Sequence, residues 1–165
     1  LKLVLLMELS AKTKLNCVIG FPLEHSQSPF LHQQIYQYHN LNAVLLAFAQ
    51  SDIKKIVEAI KILNIELVAV TMPFKHRVIE FLDDISEEAE KLNSVNTIVQ
   101  KNGKLQGFNT DIDGINFSLQ NYNLRNKKTL ILGAGSTAET VAFYLRKNKL
   151  TDEIYFFNKI LEHRF

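Results

Sequence analysis

Short, almost unbroken apolar runs alternate along this chain with stretches whose apolar residues recur at helical spacing, and that alternation narrows the fold more than any other feature. The runs Lys14 to Gly20, Ala43 to Ala49 and Glu66 to Val70 read as strands covered on both faces. Pro29 opens a helix that carries Phe30, Leu31, Ile35 and Tyr38, and Asn40 and Asn42 end it. Ser51-Asp52 caps a second helix, with Ile53, Ile56, Val57, Ile60 and Leu63 on one side. Met72-Pro73 stops the third strand, and weaker helical stretches follow at Val78 to Leu82 and Ser86 to Leu92. Asn102-Gly103 between the runs Val95 to Lys101 and Lys104 to Phe108 signals a hairpin. Thr110-Asp111 then starts a helix through Ile115, Leu119 and Tyr122.

Beyond a polar stretch from Asn121 to Lys128 come a strand (Thr129 to Leu132), a tight turn, a helix (Ser136 to Asn148) and a last strand (Glu153 to Phe157). The expected fold is α/β: an open, mostly parallel sheet with one hairpin over residues 14–120, then a single βαβ unit over 121–165.

Charge points to no polymer partner. The 19 basic residues nearly balance 17 acidic ones, and the pairs Lys54-Lys55 and Lys127-Lys128 form no basic stripe of the kind a nucleic acid needs. Leu1 to Leu9 is apolar but too short to span a bilayer, and it lacks a small-residue cleavage site. Leu at position 1 reads as a chain that begins inside a longer reading frame or downstream of another domain. Cys17, the one cysteine, lies in an apolar run, so a buried free thiol in a reducing cytoplasm is expected. The histidines show no metal-ligand spacing, and no metal site is expected. His25 lies among the loop residues considered next, and His32, His39, His76 and His163 read as helix or surface residues.

The segment Gly133-Ala134-Gly135-Ser136-Thr137-Ala138 follows a strand and opens a helix. It fits a dinucleotide turn: the first glycine permits the bend, the second lets backbone approach a pyrophosphate, and the small third position lets helix pack on strand. The next strand ends in Asn158-Lys159, where a NAD site usually has an acid; a cation suits a 2′-phosphate, so NADP is favoured, although a plain surface lysine fits the same residues. Ser26 and Ser28 lie beyond the carboxyl end of a strand, where open α/β sheets bind ligands, but a helix-capping loop would use the same serines. Thr71 and Lys75 follow the third strand, Asn96 opens the hairpin, and Asp111 suits either a ligand or a helix cap.

The set of segments decides what single motifs leave open. Gly20-Phe21-Pro22 with His25-Ser26-Gln27-Ser28-Pro29 and His32 resembles the substrate loop of the shikimate dehydrogenase family. Val70 to Lys75 resembles its catalytic-lysine segment, Val95-Asn96-Thr97 its asparagine motif, and Gly107 to Asp111 with Gly114 its catalytic-aspartate motif. Gly133 to Ala138 falls where its cofactor loop belongs, and the resemblance covers about residues 16 to 159 in family order.

The resemblance implies a substrate-binding domain followed by the first βαβ of a Rossmann NADP-binding domain. It implies NADPH-dependent, reversible reduction of 3-dehydroshikimate to shikimate in the pathway to chorismate and aromatic amino acids. Ser26 and Ser28 would hold the substrate carboxylate, Thr71, Asn96 and Asp111 the ring hydroxyls, and Lys75, paired with Asp111, would be the acid–base group. Small molecules would be the partners, and a homodimer stays open.

Several positions depart from the pattern. Asn93-Ser94 stands where Gly-Ala is frequent, and Ala69 where Asn or Ser is common. Asn158-Lys159-Ile160 replaces Asn-Arg-Thr or Asn-Arg-Ser, and so loses the arginine fork and a hydroxyl. The end at Phe165 reads as a truncation within the dinucleotide domain. Two alternatives follow: a non-catalytic remnant that only binds substrate, and a NAD-using quinate/shikimate dehydrogenase, against which Lys159 argues.

Overall fold

The computed structural model describes residues 9–158. The chain divides after Phe108 into two compact units. The first holds a six-stranded sheet of order β2-β1-β3-β5-β6-β4, made of β1 (Lys14–Gly20), β2 (Ala43–Ala49), β3 (Leu67–Val70), β4 (Asp84–Ile85), β5 (Thr97–Lys101) and β6 (Lys104–Phe108). β1 pairs in parallel with β2 and β3, β4 pairs in parallel with β6, and only β5 runs against its neighbours. The helices of this unit are α1 (Ser28–Tyr38), α2 (Ile53–Ile62), α3 (Phe74–Arg77) and α4 (Glu87–Leu92), with a 3₁₀ turn at Ile79–Phe81.

Alternation along β1 builds two cores. Cys17 and Ile19 join Ile53, Ile56, Val57 and Ile60 of α2, together with Val68, Val70, Phe74, Ile98 and Leu105. Val18 faces the other way, with Leu23, Tyr36, Ala43 and Leu45. A strand covered on both faces has no wet side, which is why β1 reads as a continuous apolar run. Burial in this apolar layer pushes the Cys17 thiol up to about 12.

Local signals set the element ends. The Asp52 side chain accepts hydrogen bonds from the amides of Lys54 and Lys55 and so starts α2, and Ser86 accepts from Ala89 to start α4. Asparagine supplies most left-handed turns: Asn40, Asn64 and Asn93 follow helices with φ of 54°, 51° and 48°. Asn102 and Gly103, with φ of 52° and 75°, close the β5–β6 hairpin as the dipeptide predicts.

Two expectations change. The stripe Phe30, Leu31, Ile35 and Tyr38 faces outward, between 42% and 83% exposed, and α1 buries Tyr36 instead. The helical turn after Pro73 is α3, which ends before Val78; only a 3₁₀ turn at Ile79–Phe81 falls in the stretch from Val78 to Leu82 that spacing assigned to a helix, and the two-residue β4 follows it. The second unit begins with α5 (Asp111–Leu119). Within that unit the Tyr144 hydroxyl on α6 (Ser136–Lys147) donates to Asn116 Oδ1 on α5 at 2.6 Å.

The rest of the second unit is a two-stranded parallel sheet, β7 (Lys128–Leu132) with β8 (Glu153–Phe157), joined through α6. Among the described residues no helix is long and apolar enough to cross a membrane.

Candidate functional site

In the first unit, β1, β3 and β6 end at one edge of the sheet, and the antiparallel β5 begins there. Register fixes this: Ile19 pairs with Val70, Ala69 with Thr97, and Thr97 with Phe108. The segments that leave this edge are stitched together through their backbones. The Thr71 amide donates to Ile19 O at 2.9 Å, and the Phe21 amide to Met72 O at 3.1 Å. The Val70 amide donates to Asn96 O at 2.7 Å, and the Asn96 amide to Phe108 O at 3.0 Å. The bonds Phe21-Pro22 and Met72-Pro73 at this edge are both cis.

Gly20 is needed here because its neighbours come close. A Cβ at that position would lie 2.6 Å from Thr71 Cγ2 and 2.9 Å from Met72 O. Lys75 is the second residue of α3, whose first residue, Phe74, is fully buried and pins the turn to the core. The Val95 amide donates to Lys75 O at 2.8 Å, so the lysine and the segment leading to Asn96 are held side by side. Thr71, Lys75 and Asn96 are each half-buried, as are Ser26 in the loop after β1 and Ser28 at the start of α1. Polar groups at this depth keep partial access to a ligand while their backbones are fixed.

The serine loop is held by α1. Gln27 occupies the cap position of α1 without a side-chain cap bond, and the Ser26 hydroxyl accepts from the Ser28 amide at 3.4 Å. One and two turns into α1, His32 Nδ1 lies 3.3 Å from the Tyr36 hydroxyl. That hydroxyl accepts from Asn16 Nδ2 at 2.8 Å, and Asn16 Oδ1 accepts from the Leu67 amide at 3.1 Å. This buried chain fastens α1 to β1 and β3. Burial pushes the His32 pKa down; burial also raises that of Tyr36, against the lowering effect of its bond with Asn16. From the sequence His32 reads as a helix or surface residue, and Tyr36 and Asn16 belong to no motif. The spacing of His32 and Tyr36, four apart on one helix face, was the available signal.

The second unit holds the remaining residues. Asp111 is half-buried and is the first residue of α5; Thr110 occupies the cap position, so Asp111 is not the cap. The buried Asn109 accepts from the Asp111 amide through Oδ1 at 3.2 Å and sets the entry to that helix.

After β7 the chain bends at Gly133, whose φ of 116° requires glycine, and the Gly133 amide donates to Phe157 O at 2.8 Å. Gly135 is the cap residue of α6, with Ser136, Thr137 and Ala138 in the first turn. A Cβ built on Gly133 or Gly135 meets nothing within 4 Å among the described residues. Among the described residues no side chain caps α6, and amides at such a helix start fit a pyrophosphate. Asn158 follows β8 and is exposed, whereas Lys159 lies outside the described residues.

Fold and site together define a class: an open α/β sheet with polar groups gathered at its carboxyl edge, followed by a βαβ unit of the Rossmann type. Residues 18–98 match the family described as shikimate dehydrogenase substrate binding domain. A shikimate dehydrogenase (NADP(+)) of Alkaliphilus oremlandii is 43% identical over 138 residues, covering 81% of this chain and 48% of the relative. The crystal structure of shikimate dehydrogenase from Aquifex aeolicus superposes with a TM-score of 0.85 at 36% identity, over 94% of this chain and 59% of that one. A shikimate dehydrogenase solved in complex with NADP+ also gives 0.85 at 36% identity, over 96% of this chain and 55% of that one. The chain belongs to the shikimate dehydrogenase family, and it spans about half the length of the curated relatives it matches.

Proposed function

We propose that this chain carries the shikimate site and the nucleotide turn of an NADP-dependent shikimate dehydrogenase, which interconverts 3-dehydroshikimate and shikimate on the route to chorismate. The observation that carries the reading is the gathering of Thr71, Lys75 and Asn96 at one sheet edge, within the stretch that matches the substrate-binding domain.

In this reading Ser26 and Ser28 donate to the substrate carboxylate, and Thr71, Asn96 and Asp111 bind ring hydroxyls. NADPH, when bound, supplies the hydride for the carbonyl carbon. The oxygen left behind gains negative charge and needs a proton. Lys75, an ammonium at that edge, donates the proton and stabilises the charge as it forms. Gly133 to Ala138 take the pyrophosphate at the start of α6, with Asn158 and Lys159 at the adenosine 2′-phosphate. The relatives' names, which specify NADP(+), support that cofactor.

A cytoplasmic setting belongs to this reading and suits the reduced, buried Cys17. A homodimer belongs to it as well and is checked by the mass in solution.

The test is oxidation of NADPH by 3-dehydroshikimate, with NADH as the comparison and Lys75→Ala as the variant. The expected result is turnover with NADPH that falls about 10²- to 10⁴-fold in the variant, with a small change in shikimate affinity. Equal rates in the two proteins would remove Lys75 from the chemistry.

A further inference from the structure

We propose that His76 is a positioning residue that clamps the lysine-bearing helix α3 onto the segment carrying Asn96. His76 Nδ1 lies 2.5 Å from the carbonyl oxygen of Asn93. A carbonyl oxygen only accepts, so the ring holds a proton on Nδ1 and donates it. Neutral imidazole in that tautomer and imidazolium both meet this requirement.

The contact gains its importance from what lies on either side. On α3, His76 directly follows Lys75 and is two residues beyond the fully buried Phe74. Across from it, Asn93 ends α4 in the left-handed conformation, with φ of 48°, and its own amide is engaged by Glu90 O at 3.0 Å. Ser94 and Val95 follow, both buried, and the Val95 amide donates to Lys75 O at 2.8 Å. Asn96 comes next. Two bonds therefore join the segments, one from the Val95 backbone to the Lys75 carbonyl and one from the side chain of His76, the next residue. A turn of four residues has little internal hydrogen bonding of its own, so its orientation depends on such external bonds.

Asparagine at position 93 suits the arrangement, because it is the non-glycine residue that best tolerates the left-handed backbone there. The role of the clamp in substrate binding rests on the proposed shikimate site; the clamp itself does not.

The experiment compares His76→Leu and His76→Asn with the parent chain. Leucine removes the donor, whereas the asparagine side-chain nitrogen stands near the place of Nδ1 and keeps it. Amide hydrogen exchange of Val95, measured against Val68 and Ile98 in the core, reads the clamp directly; shikimate titration reads its consequence. We expect Val95 exchange to rise roughly tenfold in His76→Leu while Val68 and Ile98 stay at parent rates. Shikimate affinity should fall about three- to tenfold, and His76→Asn should recover both. Unchanged Val95 exchange, or equal acceleration of all three amides, overturns the clamp. Selective acceleration with unaltered shikimate affinity overturns its positioning role. If the parent chain binds no shikimate while Val95 responds selectively and asparagine rescues it, the clamp stands and the functional reading falls.

Discussion

In the first unit β1 buries Cys17, Val18 and Ile19 between helices on both faces, whereas in the second unit β8 leaves Tyr155, Phe156 and Phe157 50%, 47% and 62% exposed, although its side chains are larger and no less apolar. Leu130 and Leu132 of β7 are likewise 61% and 75% exposed. The strands differ less in composition than in company. β1 has a strand on each side and belongs to a sheet of six, whereas β7 and β8 pair only with each other among the described residues. Apolar side chains become core only when neighbouring elements remove them from water, and a two-stranded sheet with one crossover helix covers little. Ser26, Ser28, Thr71, Lys75 and Asn96 therefore sit on a scaffold fixed by packing, and the nucleotide turn on one fixed mainly by backbone pairing and α6.

Truncating one aromatic in each unit should break that comparison most sharply. Phe74→Ala empties a fully buried position beneath Lys75 and should cost about 3–5 kcal/mol in a denaturant titration, while Phe157→Ala should stay within about 0.5 kcal/mol. Equal costs would show that exposure in the second unit does not describe the folded protein.

A smaller effect is expected at the edge itself. Gly20→Ala forces a methyl against Thr71 and against the backbone oxygen of Met72, which cannot swing away. A loss of about 1–3 kcal/mol is expected, together with weaker shikimate binding, because the strained segment leads from Thr71 to Lys75. Stability equal to the parent chain would mean that the two loops do not approach as closely as described.

Smaller still, per unit of pH, is the effect of the buried thiol. Cys17 stays neutral in the folded core up to about 12, whereas an unfolded chain loses that proton near 8.5. The folded state therefore binds more protons than the unfolded state above the lower value. The stabilising contribution is complete below about pH 8.5 and declines by about 1.4 kcal/mol per pH unit as pH rises towards 12. Chemical denaturation of the parent chain and of Cys17→Ala between pH 8 and pH 11 should show a steeper decline in the parent; parallel curves would place the thiol in contact with water.

Much of the first unit was legible because each element announces itself locally. Asp52 and Ser86 mark helix starts, Asn102-Gly103 marks the hairpin, and the runs of β1, β2 and β3 are too apolar for an exposed strand. The edge residues were legible as short polar segments following those strands. What was hidden depends on contacts distant in sequence. The Tyr36 hydroxyl finds its partner on Asn16, twenty residues away, and nothing in the helical stripe shows that Tyr36, rather than Leu31 or Ile35, faces inward. β4 is two residues long and exists only because β6 lies beside it. α5 groups with the second unit, where Asn116 accepts from Tyr144, twenty-eight residues away.

The central claim is that the carboxyl edge of the first sheet is where shikimate binds, and titration of the isotope-labelled chain with shikimate, followed by amide chemical shifts, tests it most directly. The account predicts saturable shifts concentrated at Ser26, Ser28, Thr71, Lys75 and Asn96, with the amides of Val57 and Ile60 on α2 unmoved. Saturable shifts centred elsewhere, or none at millimolar shikimate, would contradict it.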